Sequence, residues 1–169
     1  MSDVARVIVG VSGSLNSLTA LHRAVDEARA RQATLVPVLT WTPVGGERNY
    51  RAQPCPPLLR TWEEAAHARL GHAFQDAFGG FPTGLRVDPL VIRGEAGPVL
   101  TQVADRPDDL LVVSTGRQGR LHRLVHGSVS RYCLAHASCA VIAVPPSALQ
   151  TDLRRLARTV DLRELSHAA

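Results

Sequence analysis

The sequence contains no lysine, since all 19 of its basic residues are arginine. This absence excludes a P-loop, a lysine Schiff base and the phosphate-binding lysine of protein kinases. The formal net charge is +4 at pH 7. An anionic ligand would therefore have to be held by arginine side chains, by backbone N–H groups or by the N-terminus of a helix.

Aromatic residues, long apolar runs and cysteines are also scarce. Because aromatics make up only 4% of the chain, the core must consist of Val, Leu, Ile and Ala, which suits a sheet covered by helices. No apolar run could span a bilayer, and the first residues lack the pattern of a secretion signal. Cys55, Cys133 and Cys139 have no metal-type spacing and are interpreted as unreactive thiols, with a redox role for Cys55 as the alternative. We therefore expect a cytoplasmic protein without membrane contact.

Apolar segments alternate with helical patterns along the chain. Buried strands are predicted over residues 4–11, 34–41, 86–92, 109–113 and 140–144. Helices are predicted over 15–31, 58–78, 96–104 and 128–137, with a long loop over 42–57. The alternation predicts one α/β domain, 1–146, with a parallel sheet between two layers of helices, and a helical tail, 147–169. Ligands of such sheets bind beyond the carboxyl ends of the strands, which here are the loops 10–14, 40–46, 93–97 and 114–130.

The clearest local signal lies between residues 109 and 144. A buried strand is followed by a loop with Gly116 and Gly119, an arginine-rich stretch, and a helix that opens at 127–130. Glycine allows a ligand close to the backbone, and a Ser128 cap would leave neighbouring N–H groups for an anion. Arg117, Arg120 and Arg123 add positive charge. An anion site and a plain turn followed by a capped helix both fit this pattern.

The first strand-to-helix loop, residues 10–14, is a second and weaker signal. It joins a strand to a helix as a phosphate-binding turn does, but it is neither a Rossmann fingerprint nor a P-loop. A tight turn with Ser14 as the helix cap explains it equally well.

Two segments resemble the universal stress protein family. VIVGVSGSLNSLTALHRAVDEA is similar to the family's opening, a strand ending in V-G-V-D-G-S before a long amphipathic helix. HGSVSRYCLAHASCAVIAVPP resembles its closing pattern, G-x2-G-x9-G-[S/T], a helix and an apolar strand. The resemblance covers about residues 4–145. It implies a five-stranded parallel sheet in the order 3-2-1-4-5 and a homodimer through the last strand, 140–144.

The resemblance also implies a site for ATP or AMP at the ends of the first and fourth strands. Thr40 would offer its backbone to adenine, and Ser12 would lie near the ribose. The residues expected at the phosphates are Ser114, Thr115, Gly116, Arg117, Gly127, Ser128, Val129 and Ser130. The remaining residues of the predicted site are Gly10, Val11, Gly13, Ser14, Gly94 and Gly119.

Two departures from the family pattern concern this site. Ser12 stands where the ATP-binding pattern has Asp, and it is a shorter, uncharged acceptor. Counted back from Gly127, the first two motif glycines fall at Ser114 and Arg117, two positions before Gly116 and Gly119. Arg117 would either clash with a phosphate held against the backbone or grip one through two hydrogen bonds.

The sequence thus predicts a stress sensor or adaptor that binds an adenine nucleotide and has no enzymatic activity, since no nucleophile motif occurs. The alternative is a dimeric interaction module with a degenerate pocket that does not bind ATP. His122, His126 and His136 lack the companion ligands of a metal site. Nucleic acid is not an expected partner, because Tyr132 is the one residue at the arginine-rich segment 117–131 that could stack on a base, and the segment has no recognition motif.

Overall fold

The computed structural model describes residues 5–115 and 128–147, and these form a five-stranded sheet with five helices. In chain order the elements are β1 (Arg6–Val11), α1 (Leu15–Arg31), β2 (Thr34–Trp41), α2 (Glu47–Ala52), α3 (Pro56–Phe78), β3 (Leu90–Arg93), α4 (Ala96–Val103), β4 (Leu110–Ser114), α5 (Val129–His136) and β5 (Ala140–Val144). Every strand pairing is parallel, in the order β3-β2-β1-β4-β5. The predicted fold class and strand order are confirmed.

Helices cover both faces of the sheet because its central strands are apolar on both sides. Val7 and Val9 of β1 belong to the core cluster under α1 and α3, whereas Ile8 belongs to the cluster under α4 and α5. This alternation follows from the two-residue period of a strand. A sheet buried on both faces reads in sequence as continuous Val, Ile and Leu, which is the pattern that predicted it.

Local capping fixes where α1 begins and ends. The hydroxyl of Ser14 accepts a hydrogen bond from the N–H of Ser17 at 3.3 Å, which confirms Ser14 as the N-cap. The helix ends at Gln32, whose φ of 52° is left-handed. Its N–H bonds the carbonyls of Ala28 and Arg29 and satisfies groups that a helix end otherwise leaves open.

Pro37 lies in the middle of β2 without breaking the sheet. Leu35 exchanges hydrogen bonds with the segment before β3, so alternate residues of β2, Pro37 included, direct their backbone groups to that side. Val87 forms only an isolated bridge with Leu35, and the β2–β3 ladder resumes at Val38 and Leu90. The N–H that proline lacks therefore falls at a gap in the neighbouring strand.

Two predicted boundaries were wrong. Residues 86–92 are not one strand, because β3 begins only at Leu90, directly after Pro89, which cannot donate to the ladder. Residues 42–57 are not one loop, because Glu47–Ala52 form α2 and α3 begins at Pro56. Gly45 and Gly46, both with positive φ, make the turn before α2.

Ion pairs between one arginine and two aspartates link the amino ends of β1 and β4. Arg6 donates to Asp109 through Nε at 2.9 Å and Nη2 at 2.6 Å, and to Asp105 at 2.7 Å. Asp109 is buried and also accepts the N–H of Arg106. The carboxylates raise the pKa of Arg6, and the guanidinium lowers the pKa of Asp105. This cluster lies at the amino ends of the strands, opposite the carboxyl ends where the site is predicted.

Of the predicted tail, 147–169, only Ser147 falls among the described residues, and the division into a domain of 1–146 and a tail stays a prediction. In the part of the chain that is described, no helix has the length and apolar character needed to cross a membrane.

Candidate functional site

The carboxyl ends of β1 and β4 are not paired with each other, and we call the gap in the sheet at this place the crevice. β1 pairs with β2 as far as Val11, but its pairing with β4 ends at Val9 and Val112. The last residues of both strands, Gly10–Val11 and Val113–Ser114, therefore have no ladder partner in the other strand. The strand order reverses at this point, because the chain extends from β1 to β2 on one side and β4 lies on the other. Ligands of open parallel sheets bind at such a point.

The loop after β1 forms one wall of the crevice and carries three consecutive exposed residues, Ser12, Gly13 and Ser14. The Ser12 and Ser14 hydroxyls lie 3.0 Å apart and share a hydrogen bond. Gly13 has a φ of 77°, and a Cβ built on it would meet no atom within 4 Å. The left-handed turn requires glycine, and the space beside it is open to a ligand.

Ser114 and Thr115 form the opposite wall. The N–H of Thr115 donates to the carbonyl of Val144 at 2.8 Å, so alternate residues of β4 face β5 and the residues between them, Ser114 included, face β1. Ser114 lies beyond the last β1–β4 ladder pair. Its backbone N–H and C=O are therefore directed into the crevice. The Thr115 hydroxyl is engaged elsewhere, since it donates to Val144 at 3.2 Å.

The start of α5 is the third part of the candidate site, after the loop that follows β1 and the end of β4. Ser128 is the N-cap residue, as predicted, but its hydroxyl makes no capping hydrogen bond and instead pairs with the Ser130 hydroxyl at 2.8 Å. The prediction that the Ser128 side chain caps the helix was wrong. The N–H groups of the first turn of α5 consequently have no side-chain cap, and the helix dipole adds attraction for an anion.

Thr40 presents a backbone carbonyl at the end of β2. Thr34 donates to the Ala5 carbonyl, so alternate residues of β2, Thr40 included, direct their backbone groups toward β1. The β1–β2 ladder ends at Val11 and Leu39. No described residue beyond that pair donates to the Thr40 carbonyl, which places an open acceptor beside the crevice.

Gly10 and Gly94 have packing roles that explain why they are glycine. A Cβ on Gly10 would approach a methyl carbon of Leu100 to 3.0 Å, and one on Gly94 would approach Val99 to 2.8 Å. Gly94 also has a φ of 152° and donates its N–H to Trp41. Both residues allow α4 to lie close to the sheet, beneath the crevice.

Four residues beside the crevice were missed by sequence reasoning, and we call Trp41, Glu47, Tyr50 and Arg93 the Arg93 cluster. Arg93 binds both carboxylate oxygens of Glu47, at 2.7 and 2.8 Å, and its guanidinium carbon lies 4.9 Å from the Tyr50 ring centroid. The ring of Trp41 is 5.9 Å away. Arg93 lowers the pKa of Glu47, and Glu47 raises the pKa of Arg93. The cluster fastens α2 to the ends of β2 and β3.

The structure thus brings together predicted residues from four elements. Those at the crevice are Val11, Ser12, Gly13, Ser14, Thr40, Ser114, Thr115, Ser128, Val129 and Ser130, whereas Gly10 and Gly94 face α4. Gly116, Arg117, Gly119 and Gly127 lie outside the described residues. Hydroxyl and backbone groups dominate these walls. No group of three or more metal-ligating side chains occurs within the described ranges, 5–115 and 128–147.

A family model described as the universal stress protein family matches residues 4–145. The chain belongs to the universal stress protein family. A search of curated protein sequences gives no match.

Solved structures of other proteins share this fold. One, described as a universal stress protein in complex with cAMP, is 27% identical, with a TM-score of 0.54 over 86% of this chain and 100% of that one. UspA from Lactobacillus plantarum is 22% identical, with a TM-score of 0.58 over 85% of this chain and 99% of that one. The hypothetical protein MJ0577 is 14% identical, with a TM-score of 0.65 over 85% and 97% of the two chains. At these lower identities the last two establish the fold alone.

Proposed function

We propose that this universal stress protein binds an adenine nucleotide, ATP or AMP, in the crevice between β1 and β4 and acts as a non-enzymatic sensor or adaptor. The observation that carries the proposal is the end of the β1–β4 ladder at Val9 and Val112, beyond which β1 leads into the exposed turn of Ser12, Gly13 and Ser14, and Ser114 of β4 has no ladder partner in β1. The relative described in complex with cAMP supports the choice of ligand class.

Each part of the nucleotide has a partner in this proposal. The open carbonyl of Thr40 accepts from the adenine amino group, and Ser12 lies at the ribose. Backbone N–H groups of Ser114 and of the first turn of α5 hold the phosphates, together with Gly116, Arg117, Gly119 and Gly127. An all-arginine chain suits this arrangement, because amides and guanidinium groups replace the missing lysine.

Ser12 predicts modest affinity for the ribose. A hydrogen bond to a charged acceptor contributes about 1.5–3 kcal/mol, against about 0.5–1.5 kcal/mol for a neutral pair. The Ser12 hydroxyl is uncharged and is already shared with Ser14. We therefore expect weaker binding than an Asp at this position would give.

The absence of catalysis in this proposal follows from what the crevice hydroxyls contact. Ser12 pairs with Ser14, and Ser128 pairs with Ser130. None of these four, within the described part of the chain, bonds to a histidine or a carboxylate that would act as a base. The crevice is arranged to hold an anion rather than to activate a nucleophile.

Calorimetric titration with AMP and ATP tests this function. We expect saturable binding to the wild-type chain and at least about tenfold weaker binding to Gly127→Leu, because a bulky side chain blocks close approach of the phosphates. Gly71→Leu is the matched control, since Gly71 is exposed on α3 with no atom near its Cβ position. No heat of binding at millimolar nucleotide would refute the proposal.

A second candidate function is favoured by the surface around β5. Val141, Ile142, Ala143 and Val144 are only half-buried, and α5 exposes Leu134 beside them in the chain. On this proposal β5 pairs with β5 of a second copy to form a homodimer, which works as an interaction module whether or not the crevice is filled. The two functions are compatible. The calorimetric titration with AMP and ATP tests nucleotide binding alone, so its result does not depend on whether the dimer forms.

A further inference from the structure

We infer that a second binding site, for a small multiply charged anion, lies at the opposite end of the sheet from the crevice. A groove of about 560 Å³ is bounded by the last turn of α1, the start of β2 and the segment before β3. Its lining includes Arg29, Gln32, Thr34, Gly84, Leu85 and Arg86. We call it the Arg29–Arg86 groove. Its volume lies within the usual range for small-molecule sites, about 300–1,000 Å³.

The two arginines give this groove positive charge that is not paired with a carboxylate of any described residue. Neither guanidinium makes an ion pair or hydrogen bond with any residue in the described ranges. The acid nearest to Arg29 along α1, Glu27, already pairs with Arg23 and Arg31. An anion in the groove could accept hydrogen bonds from either guanidinium group, which is the geometry in which arginine recognises carboxylates and phosphates.

A buried hydroxyl supports the same conclusion. Thr34 lines the groove and is only 9% exposed. Its N–H donates to Ala5, but its hydroxyl has no hydrogen-bond partner in the described part of the chain. Buried polar side-chain groups nearly always have a partner. A ligand oxygen in the groove would supply one.

The walls of the groove are held in place by backbone contacts. The N–H of Leu35 donates to the carbonyl of Arg86 at 2.9 Å, which links β2 to the segment before β3. The N–H groups of Gln32 and Ala33 bond to carbonyls of the last turn of α1. These bonds satisfy part of the negative end of the helix, which would otherwise oppose an anion. The site is therefore formed before a ligand arrives.

This site is independent of the proposed nucleotide crevice. Thr34 is the first residue of β2 and Trp41 is the last, so the two sites are separated by the length of that strand, about 23 Å at 3.3 Å per residue. The ligand class is a compact organic or inorganic anion with two or more negative charges and little aromatic surface, because Leu85 is the largest apolar side chain in the lining.

Titration of the ¹⁵N-labelled full chain with inorganic pyrophosphate tests the inference. We expect saturable shifts at the amides of Gln32, Thr34 and Gly84, and at least about tenfold weaker binding there in the Arg29→Gln/Arg86→Gln variant. Arg60→Gln/Arg69→Gln removes the same charge from the exposed face of α3 and should leave binding at the groove unchanged. Each single groove variant should lose part of the affinity.

The outcomes separate the two sites. Binding at the groove should persist in Gly127→Leu, whatever that variant does to nucleotide binding. If no groove amide shifts up to about 10 mM pyrophosphate, or if the two double variants bind alike, the inference is overturned. Shifts confined to Gly13 and Ser114 would also overturn it, because they would assign pyrophosphate to the crevice alone.

Discussion

At the scale of single residues, Gly97 sets how closely α4 and α5 approach. A Cβ on Gly97 would lie 2.8 Å from the ring of Tyr132 and 3.1 Å from its Cβ. We expect Gly97→Ala to lower the free energy of unfolding by about 1–3 kcal/mol, because α5 must shift to relieve the contact. Urea denaturation of the full chain measures this.

Gly71→Ala is the control for that prediction. Gly71 lies in α3 with no atom near its Cβ position, so alanine should stabilise the helix by roughly 0.5–1 kcal/mol. Equal effects of the two substitutions would mean that helix propensity, and not the contact with Tyr132, determines the role of Gly97.

The pKa of the Cys133 thiol shows how well the core under α4 and α5 excludes water. Burial raises its pKa to about 11, from an ordinary value of 9.0. Between pH 9 and pH 11 the unfolded chain loses this proton while the folded chain keeps it, so the contribution to stability falls as pH rises. Below pH 9 the contribution is fully present, which agrees with the interpretation of an unreactive thiol.

We expect the difference in unfolding free energy between the wild-type chain and Cys133→Ala to fall steadily from pH 9 to pH 11, measured by urea denaturation. Val99→Ala alters the same core cluster without removing a titratable group, so its difference from wild type should stay flat over this range and supplies the control. Parallel curves for wild type and Cys133→Ala would show that the thiol is not desolvated.

At the scale of elements, α2 depends on a contact that is distant in sequence. It has six residues and no buried side chain, so its own sequence does not stabilise it. Arg93 holds it through Glu47 and Tyr50. We expect Arg93→Ala to increase hydrogen exchange of the amides of residues 47–52 several-fold, with no change in β1 or β4.

Arg48→Ala is the matched control for α2, since Arg48 is exposed in the same helix and makes no hydrogen bond or ion pair with another described residue. It should leave exchange in α2 unaltered. Faster exchange in both variants would show that the helix responds to lost charge in general and not to the loss of the Arg93 cluster.

The elements that sequence predicted correctly are those with their own buried apolar pattern. β1, β2, β4 and β5 are short apolar runs, and α1 carries a regular stripe of small and aliphatic residues. α2 could not be predicted, because the residue that fixes it lies 46 positions away. The shortened β3 was signalled by Pro89, which lacks a donor in the same way as Pro37.

For the candidate site, the sequence predicted which loops form it, but not which backbone and hydroxyl groups in those loops are available to a ligand. The rule that ligands bind beyond strand ends selected the loops, and the family resemblance selected Ser12, Thr40 and Ser114 within them. Which backbone groups face the crevice depends on strand register, which a single sequence does not specify. The pairing of Ser128 with Ser130 likewise depends on side-chain rotation and could not be foreseen.

At the scale of the whole molecule, the exposed edge of β5 predicts the proposed homodimer. The carbonyl of Val144 accepts from Thr115, so Val144 and Ile142 direct their backbone groups to β4, whereas Ala143 directs its N–H outward. We expect Ala143→Pro to convert a dimer to a monomer in light scattering, because proline removes a donor at the edge but none from the β4 ladder.

Ala143→Val keeps the N–H and is the control, so it should remain dimeric. Circular dichroism establishes that the proline variant is folded. A wild-type chain that is monomeric at high micromolar concentration, or a folded proline variant that stays dimeric, would place the interface elsewhere.

The most direct test of the central claim is to map AMP onto the ¹⁵N-labelled chain by NMR. If the crevice between β1 and β4 holds the nucleotide, the largest saturable shifts will occur at the amides of Gly13, Ser114 and Ser130, with little change at Thr34 or Gly84. Saturable shifts at other amides that leave those three unchanged, or no shift at all at millimolar AMP, would contradict the account.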